Sequence, residues 1–456
     1  MNIRKLLYLG LALLVLGGCS QANRKIITMP EPKREAGQTD MLQFKCDPVP
    51  IVRVGVIGLG MRGPTHVRIL TQISDAKVTA LCDLYEDRVE RSQKILEDAG
   101  EPEAAEYYGE DGWKGLCKSD SVDLVLICTP WEDHTPMAVY AMEHGKHVAV
   151  EVPAATTVKE CWELVDASEK SRKHCMMLEN CCYDFFEMAA LNMAQHGLFG
   201  DIKHVEGAYI HDLRAMCFND QDHNGYQGYW RLRYNTAHTG NHYPTHGLGP
   251  VAQILNIHRG DRMEYLVSLS SDEGGLSEYA SERFGPDSKE ATTKRALGDM
   301  NTTLIHTVKG KSIMIQHDVS DATPYSRIYT IRGTRGMAQK YPVEGVAFDP
   351  DAEKFVTGAG LDSILSKWEH PLVRDVGEKA REVGGHGGMD YIMLYRLIYC
   401  LHNGLPLDED VYDAAEWSCI GELSEISVKN GSKPVAIPDF TRGEWNKVDG
   451  FSLAGY

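Results

Sequence analysis

Basic residues are in short supply. The 456-residue chain has 47 Lys and Arg against 65 Asp and Glu, a formal net charge of −18. A phosphate backbone needs a cationic surface, so nucleic acid is excluded as the main ligand. A polybasic membrane patch is excluded for the same reason. Long apolar runs are lacking too: Leu6 to Leu16 spans eleven residues, too short to cross a bilayer. No CxxC pair occurs among the twelve Cys, and no HExxH is present, which removes two common zinc patterns. There is no internal repeat and no low-complexity tract. What is present is ordinary for a globular chain, with 43% hydrophobic and 25% charged residues, so disorder is excluded as the main state.

Arg4 and Lys5 precede the apolar run, and Leu16-Gly17-Gly18-Cys19 follows it. This box resembles the bacterial lipoprotein cleavage site. The resemblance implies a signal peptide over 1–18, a lipid on Cys19, and an exported, membrane-anchored protein on the periplasmic or cell-surface side. Residues 19–49 carry Lys, Glu, Pro and Gln with few large apolar side chains and read as a linker. Cys19 aside, eleven cysteines remain, an odd number. Several lie in apolar runs, as Cys128 does after Leu124-Val125-Leu126-Ile127, and read as small buried hydrophobes.

Residues 50–180 read as an α/β dinucleotide-binding domain. Val52–Ile57 is a buried-strand pattern that enters Gly58-Leu59-Gly60-Met61-Arg62-Gly63, followed by a helix from Pro64. The first glycine of GxGxxG permits the turn, the second lets backbone approach a pyrophosphate, and the third lets helix and strand pack closely. A second strand ends at Asp83, twenty residues after Gly63. An acid there accepts hydrogen bonds from ribose hydroxyls and repels a 2′-phosphate, which favours NAD over NADP. Strands over 123–128 and 147–150 alternate with helices, so the sheet is parallel and doubly wound, a Rossmann fold. Cofactor contacts cluster at strand C-termini. That places Met61, Arg62, Asp83, Trp131, Glu132, Asp133, His134, Glu151, Val152 and Asn180 along one edge.

Residues 181–456 read as an α+β substrate domain with a large, mostly antiparallel open sheet. The strand patterns fall at 202–211, 263–269, 301–307, 312–317 and 328–332. Late helices over 388–402 and 408–430 are expected, one or two of them returning to the first domain. Residues 271–297 are polar and read as a surface excursion. The densest unusual chemistry lies in 230–247, with three His, two Tyr and two Arg from Arg231 to His246. His238, His242 and His246 have helical spacing, but Gly240 and Pro244 break a helix there. Zinc and a plain solvated loop are competing readings. The preferred one is a sugar-sized polar pocket, with Tyr and His for proton transfer and Arg231 for oxygen recognition.

Gly58–Gly63, Thr129-Pro130 and Glu151-Val152-Pro153 resemble the Gfo/Idh/MocA oxidoreductases. Most of that superfamily carries Glu-Lys-Pro, and this chain has Val152 in place of the Lys. It also has His242 where the superfamily usually has Asp, four residues before His246. Thr129–His134, His211-Asp212-Leu213-Arg214 and Tyr243–Gly247 are closer to the NAD-dependent α-N-acetylgalactosaminidases of glycoside hydrolase family 109. That resemblance implies that Met61, Arg62, Asp83, Trp131, Glu132, Asp133, His134, Glu151, Val152, Asn180 and Tyr243 touch NAD. It implies that Tyr209, Arg231, Tyr243, Pro244, Thr245, His246 and Tyr325 touch the sugar. His246 would serve the carbon 3 hydroxyl, and Tyr183 or Glu151 carbon 2, with Tyr325 and Tyr243 as polar partners.

The implied reaction is an exception to two-carboxylate glycoside hydrolysis. A hydride leaves carbon 3 for NAD⁺, the ketone acidifies the carbon 2 proton, that proton and the aglycone leave, water adds, and the hydride returns. A net NAD-dependent sugar dehydrogenase and a non-enzymatic carbohydrate-binding lipoprotein are the alternatives. The expected partner is a glycan; the oligomeric state is left open, a homo-oligomer through the second-domain sheet being what superfamily relatives often form.

Overall fold

The computed structural model describes residues 26–221 and 225–456. The expected signal peptide and Cys19 lie outside the described residues.

Six strands form the first sheet: β1 Val52–Ile57, β2 Ala76–Asp83, β3 Ala105–Tyr108, β4 Leu124–Ile127, β5 His147–Val150 and β6 Cys175–Met177. Their order is β3-β2-β1-β4-β5-β6, and every pairing is parallel. β4 and β5 are buried at every position, as a sheet with both faces covered requires. The strand order reverses between β1 and β4, which opens the crevice where such sheets bind ligands. Helix Val158–Ser171 starts at a capping box in which Thr157 and Glu160 satisfy each other's backbone N–H groups.

Eight strands form the second sheet: β7 Ile202–Ile210, β8 Met263–Ser270, β9 Asn301–Thr307, β10 Ser312–Asp318, β11 Thr330–Gly333, β12 Gly336–Gln339, β13 Gly345–Phe348 and β14 Val435–Ala436. Their order is β13-β12-β11-β7-β10-β9-β8-β14, antiparallel except for the parallel pair β7–β10. β9 alternates inward and outward along its length, so one face is covered and the other open. On the covered face, helix Thr245–Ile254 lies directly on β7. A Cβ at Gly207 would stand 2.1 Å from the Gly247 carbonyl oxygen, so both positions need glycine for this approach.

The late helices Met389–Asn403 and Val411–Lys429 both pack against the first domain. Ser418 accepts from the Ala154 N–H at 3.1 Å and Glu422 from the Val158 N–H at 2.6 Å. Backbone of the first domain is thus held by side chains from the chain's last long helix.

Three expectations need correction. The linker reading of 19–49 fails from residue 26 onward. Ile27 bridges to Val435, the Tyr412 hydroxyl accepts from the Met41 N–H at 2.9 Å, and Met41 and Leu42 are buried. Composition counted few large apolar residues there, but two of them and Arg34 suffice to strap the segment down. Residues 271–297 include helices Gly275–Phe284 and Lys289–Thr292, and Leu276, Ala280 and Leu297 join Tyr209, Leu213 and Tyr226 in a small second core. The strand expected from 328 starts at Thr330, because Ile328 and Tyr329 have φ of +56° and +51°. All eleven described cysteines are free thiols.

Arg34 reaches Glu169 through two hydrogen bonds of 3.0 Å, and Arg442 reaches the same buried carboxylate at 2.7 Å. Arg34→Ala removes one of two cations from that acid. It is expected to lower stability by about 1–3 kcal/mol. A chemical denaturation midpoint equal to wild type would contradict the strap.

Candidate active site

A cavity of about 790 Å³ lies between the C-terminal ends of the first sheet's strands and the 209–246 region of the second domain. That size falls among cofactor and small-ligand sites. Its floor is the glycine turn. Gly58 has φ +91°, and a Cβ there would lie 2.6 Å from the Cys128 carbonyl group. A Cβ at Gly63 would lie 2.0 Å from the Gly58 carbonyl oxygen. Helix Gly63–Leu70 therefore starts hard against β1 and β4, with its N-terminus open to the cavity. Gly60, Met61 and Arg62 line the space. Asp83 lines it too, accepting from the Leu59 N–H at 2.6 Å and the Tyr85 N–H at 3.0 Å. The acid thus shapes the turn, and a carboxylate retains lone pairs for ribose hydroxyls. Close-packed glycines, a helix N-terminus and an acid at the end of β2 together fit NAD.

Trp131, Asp133, His134, Glu151, Val152 and Asn180 also line the cavity. His134 is fully buried, with its ring nitrogens 2.8 Å from the carbonyl oxygens of Thr129 and Pro153, so it ties the loop down. Glu132 corrects the expectation. It turns outward to a separate cavity of about 180 Å³ with Trp230, Arg233 and Tyr234. On a helix that starts at Trp131, adjacent residues point apart.

Glu151 is held by Arg62 and His66. Its Oε1 lies 2.9 Å from Arg62 Nε and 2.6 Å from His66 Nε2. Burial pushes its pKa up, but Arg62 and His66 outweigh this and hold the carboxyl well below its usual range. A carboxylate lowered in this way is a weaker base than a free one, which argues against the carbon 2 role. Arg62 also contacts Asp390 at 3.2 Å, and Asn180 donates to Asp390 at 2.6 Å. Asp390 belongs to helix Met389–Asn403, so the second domain closes over the cofactor crevice.

The second-domain wall is aromatic and cationic. The Arg231 guanidinium sits 4.9 Å from the ring centroids of Trp131 and Tyr243 and 5.2 Å from Tyr226, and donates to the Tyr226 hydroxyl at 2.9 Å. Arg231 is 4% exposed. Tyr209 and Tyr243 stand 4.7 Å apart, and each ring lies about 5 Å from His246, at 5.3 and 4.9 Å respectively. Burial pushes both phenols up, so their hydroxyls stay protonated. His246 Nδ1 lies 2.7 and 3.0 Å from the two oxygens of Glu179.

Four further predicted residues sit elsewhere. Tyr183 is 1% exposed, with its hydroxyl donating to Asp408 at 3.3 Å, and it does not line the cavity. Burial holds its phenol protonated. The helix-start packing of Tyr183 wins over a catalytic role. Pro244 and Thr245 are buried at the start of helix Thr245–Ile254 and set its position rather than line the cavity. Tyr325 is 39% exposed, outside the cavity lining but 5.0 Å from the His211 ring and 6.3 Å from Tyr209. The three histidines weighed for zinc diverge. His238 pairs with Glu425 at 3.1 Å, and His242 Nε2 lies 3.1 Å from the Thr239 carbonyl oxygen with burial lowering its pKa to about 3.

Sequence reasoning missed His386. It lines the cavity on the turn Gly384-Gly385-His386-Gly387-Gly388, with φ of +79°, +84°, +45°, +73° and +112°. Its Nδ1 lies 2.9 Å from Asp390, and its side chain is 53% exposed. A titratable residue between glycine pairs was a visible signal. His211 was quoted within a motif without a role, and it lines the cavity as well.

Glu151, Asp184 and Asp390 are each held below the normal carboxyl range by adjacent cations, despite burial. Unfolded carboxyls titrate near 4. The stabilisation these groups supply is therefore complete above about pH 5 and lost as pH falls through their folded values. Melting temperature is expected to drop steeply below about pH 4, and Arg62→Ala, which raises the folded pKa of Glu151 and Asp390, should lower stability at neutral pH and make that acid-side decline shallower. Superimposable acid-side melting profiles would refute the Arg62 assignment.

Comparison with known proteins agrees with this geometry. A family model described as "Glycosyl hydrolase 109, C-terminal domain" matches residues 183–447. Another, "Oxidoreductase family, NAD-binding Rossmann fold", matches residues 52–179. An alpha-N-acetylgalactosaminidase of Bacteroides fragilis is 59% identical over 410 residues, covering 90% of this chain and 96% of that protein. A glycosyl hydrolase family 109 protein of Phocaeicola vulgatus is 52% identical over 408 residues, covering 90% and 99%. Among solved structures, an oxidoreductase domain protein from Kribbella flavida aligns with a TM-score of 0.64 at 18% identity, over 86% of this chain and 100% of that one. The scyllo-inositol dehydrogenase of Lactobacillus casei, solved with NAD(H) and scyllo-inositol, aligns at 0.59 and 12%, over 85% and 99%. At these identities the two structures share the fold alone. With an NAD-binding Rossmann domain joined to the matching C-terminal domain, and relatives alike along nearly their whole length, the chain belongs to glycosyl hydrolase family 109.

Proposed function

We propose that this chain hydrolyses terminal α-linked N-acetylgalactosamine with an NAD that is restored within each turnover. One observation carries the reading: the dinucleotide crevice of the first sheet and the His–Tyr–Arg wall of the second domain share one cavity. The name of the Bacteroides fragilis relative supports the sugar and the linkage. Bound NAD supplies a reversible hydride acceptor at a sugar carbon.

The chain's own residues supply binding and proton transfer. Arg231 offers guanidinium N–H groups to the sugar's oxygen substituents, and its ring cage fixes it in place. Tyr209 and Tyr243, protonated, donate hydrogen bonds. His246 opens to the cavity and is placed to take a hydroxyl proton. His386, on its glycine turn and half open to solvent, is placed to exchange a proton with the departing oxygen and incoming water. Glu151 stays ionised and orients Arg62 and His66.

A net dehydrogenase is the second reading. Val152, buried at the position where the oxidoreductases carry Lys, disfavours it. Purified protein given a chromogenic α-N-acetylgalactosaminide and no added NAD should release the aglycone without accumulating NADH. NADH production dependent on added NAD would favour the dehydrogenase instead. His246→Ala with its cofactor retained should lose at least about 100-fold in kcat. A near wild-type rate would remove His246 from the reaction.

The Leu16-Gly17-Gly18-Cys19 box supports lipidation and export, which suits an enzyme that meets glycans outside the cytoplasm. Val267, Leu269 and Leu304 share the open face of the second sheet, Leu269 being 66% and Leu304 53% exposed, which supports self-association there. Cys19→Ser should abolish labelled palmitate incorporation and move the protein to the soluble fraction. Unchanged membrane fractionation and labelling would end the lipoprotein reading.

A further inference from the structure

Helix Thr245–Ile254 carries a second interior glycine, Gly249, that its backbone does not explain: its φ is not positive. Glycine inside a helix costs about 1 kcal/mol relative to alanine, so its presence calls for a packing reason. A Cβ at Gly249 would lie 2.8 Å from Glu179 Cγ and 2.9 Å from the Trp417 ring. The helix is notched to admit the Glu179 side chain.

Glu179 stands two residues after β6 and is 0% exposed. Such burial costs a carboxylate several kcal/mol unless it is paired. Its partner is His246, whose Nδ1 faces both oxygens at 2.7 and 3.0 Å. It also accepts from the Cys181 N–H at 3.1 Å. Burial pushes its pKa up, but His246 and these hydrogen bonds bring it below the usual range, so the anion persists. Behind it, Glu409 is fully buried. Burial and the charge of Glu179 push its pKa well up. The other titratable groups around the pair are Tyr209, Tyr243, His211, Cys181 and Cys182.

We propose that Glu179 is a positioning residue: its carboxylate holds the proton on Nδ1 of His246, so that Nε2 faces the cavity as the proton acceptor. When the sugar hydroxyl O–H bond breaks, the proton forms an N–H bond at Nε2. The resulting imidazolium is stabilised by the adjacent anion, and the proton returns to the same oxygen when that carbon is reduced again. A carboxylate behind a catalytic histidine fixes tautomer and orientation in this way. The inference rests on the proposed function only for its kinetic consequence, since the tautomer is a property of the protein itself.

The test is side-chain ¹⁵N NMR of the purified, NAD-loaded protein, with the His246 signal assigned by its loss in His246→Asn. In wild type, Nδ1 is expected to be protonated and Nε2 bare. In Glu179→Gln the two tautomers should mix or invert. That variant's kcat should fall about 100-fold or more, with KM within about threefold and bound NAD unchanged. Gly249→Ala, which crowds the same carboxylate, should shift tautomer and kcat in the same direction. A wild-type signal with the proton on Nε2 overturns the proposal without any variant having to fold. So does Glu179→Gln with an unchanged tautomer and kcat. If wild type cleaves no α-N-acetylgalactosaminide, the functional reading fails, and the wild-type tautomer still decides the role of Glu179.

Discussion

Arg62 is the point on which the site depends. Its guanidinium takes Glu151 from the first sheet with one face and Asp390 from a late helix with the other. Each carboxylate is largely buried, and each would be costly without a cation. The pairing therefore joins the glycine turn, the end of β5 and the Gly384–Gly388 turn into one unit. It also decides the chemistry of Glu151. A carboxyl in that pocket without Arg62 and His66 would be raised by burial and could serve as an acid or base. With them it is a fixed anion. One ion-pair network thus closes the crevice and keeps Glu151 ionised.

Close approach is the second constraint. Gly58 and Gly63 bring helix to strand under the cofactor crevice, and Gly207 and Gly247 bring helix to strand under His246. The two sites look unrelated in sequence and use the same device. Backbone at van der Waals distance leaves no freedom for the elements that carry the reacting groups, so positional precision comes from the absence of side chains. The Gly384–Gly388 turn uses glycine differently, with five consecutive positive φ values holding His386 over the cavity.

Burial also sorts the polar residues by role. Tyr183, His134 and His242 are as titratable as His246 and His386 in sequence, yet their ring or hydroxyl groups are committed to internal partners. His246 and His386 each give one nitrogen to an internal carboxylate and line the cavity. That leaves a second nitrogen available, which is what proton exchange requires.

The sequence by itself determined the local features. The turn from Gly58 to Gly63, the acid ending β2, the parallel sheet and the antiparallel second domain all follow from short-range pattern, because dihedral limits and hydrophobic periodicity act over a few residues. The pocket residues Tyr209, Arg231, Tyr243 and His246 were reached through motif resemblance and through composition that suits no core. Tertiary structure alone decided the rest. That Glu179 stands behind His246, 67 positions away, that Asp390 meets Arg62 across 328, and that Arg34 ties the segment 26–49 to Glu169 of the first domain are long-range pairings. So is the placement of Tyr183 in the core rather than the cavity. A side chain's role depends on which groups share its desolvated surroundings, and that is set when the whole chain packs.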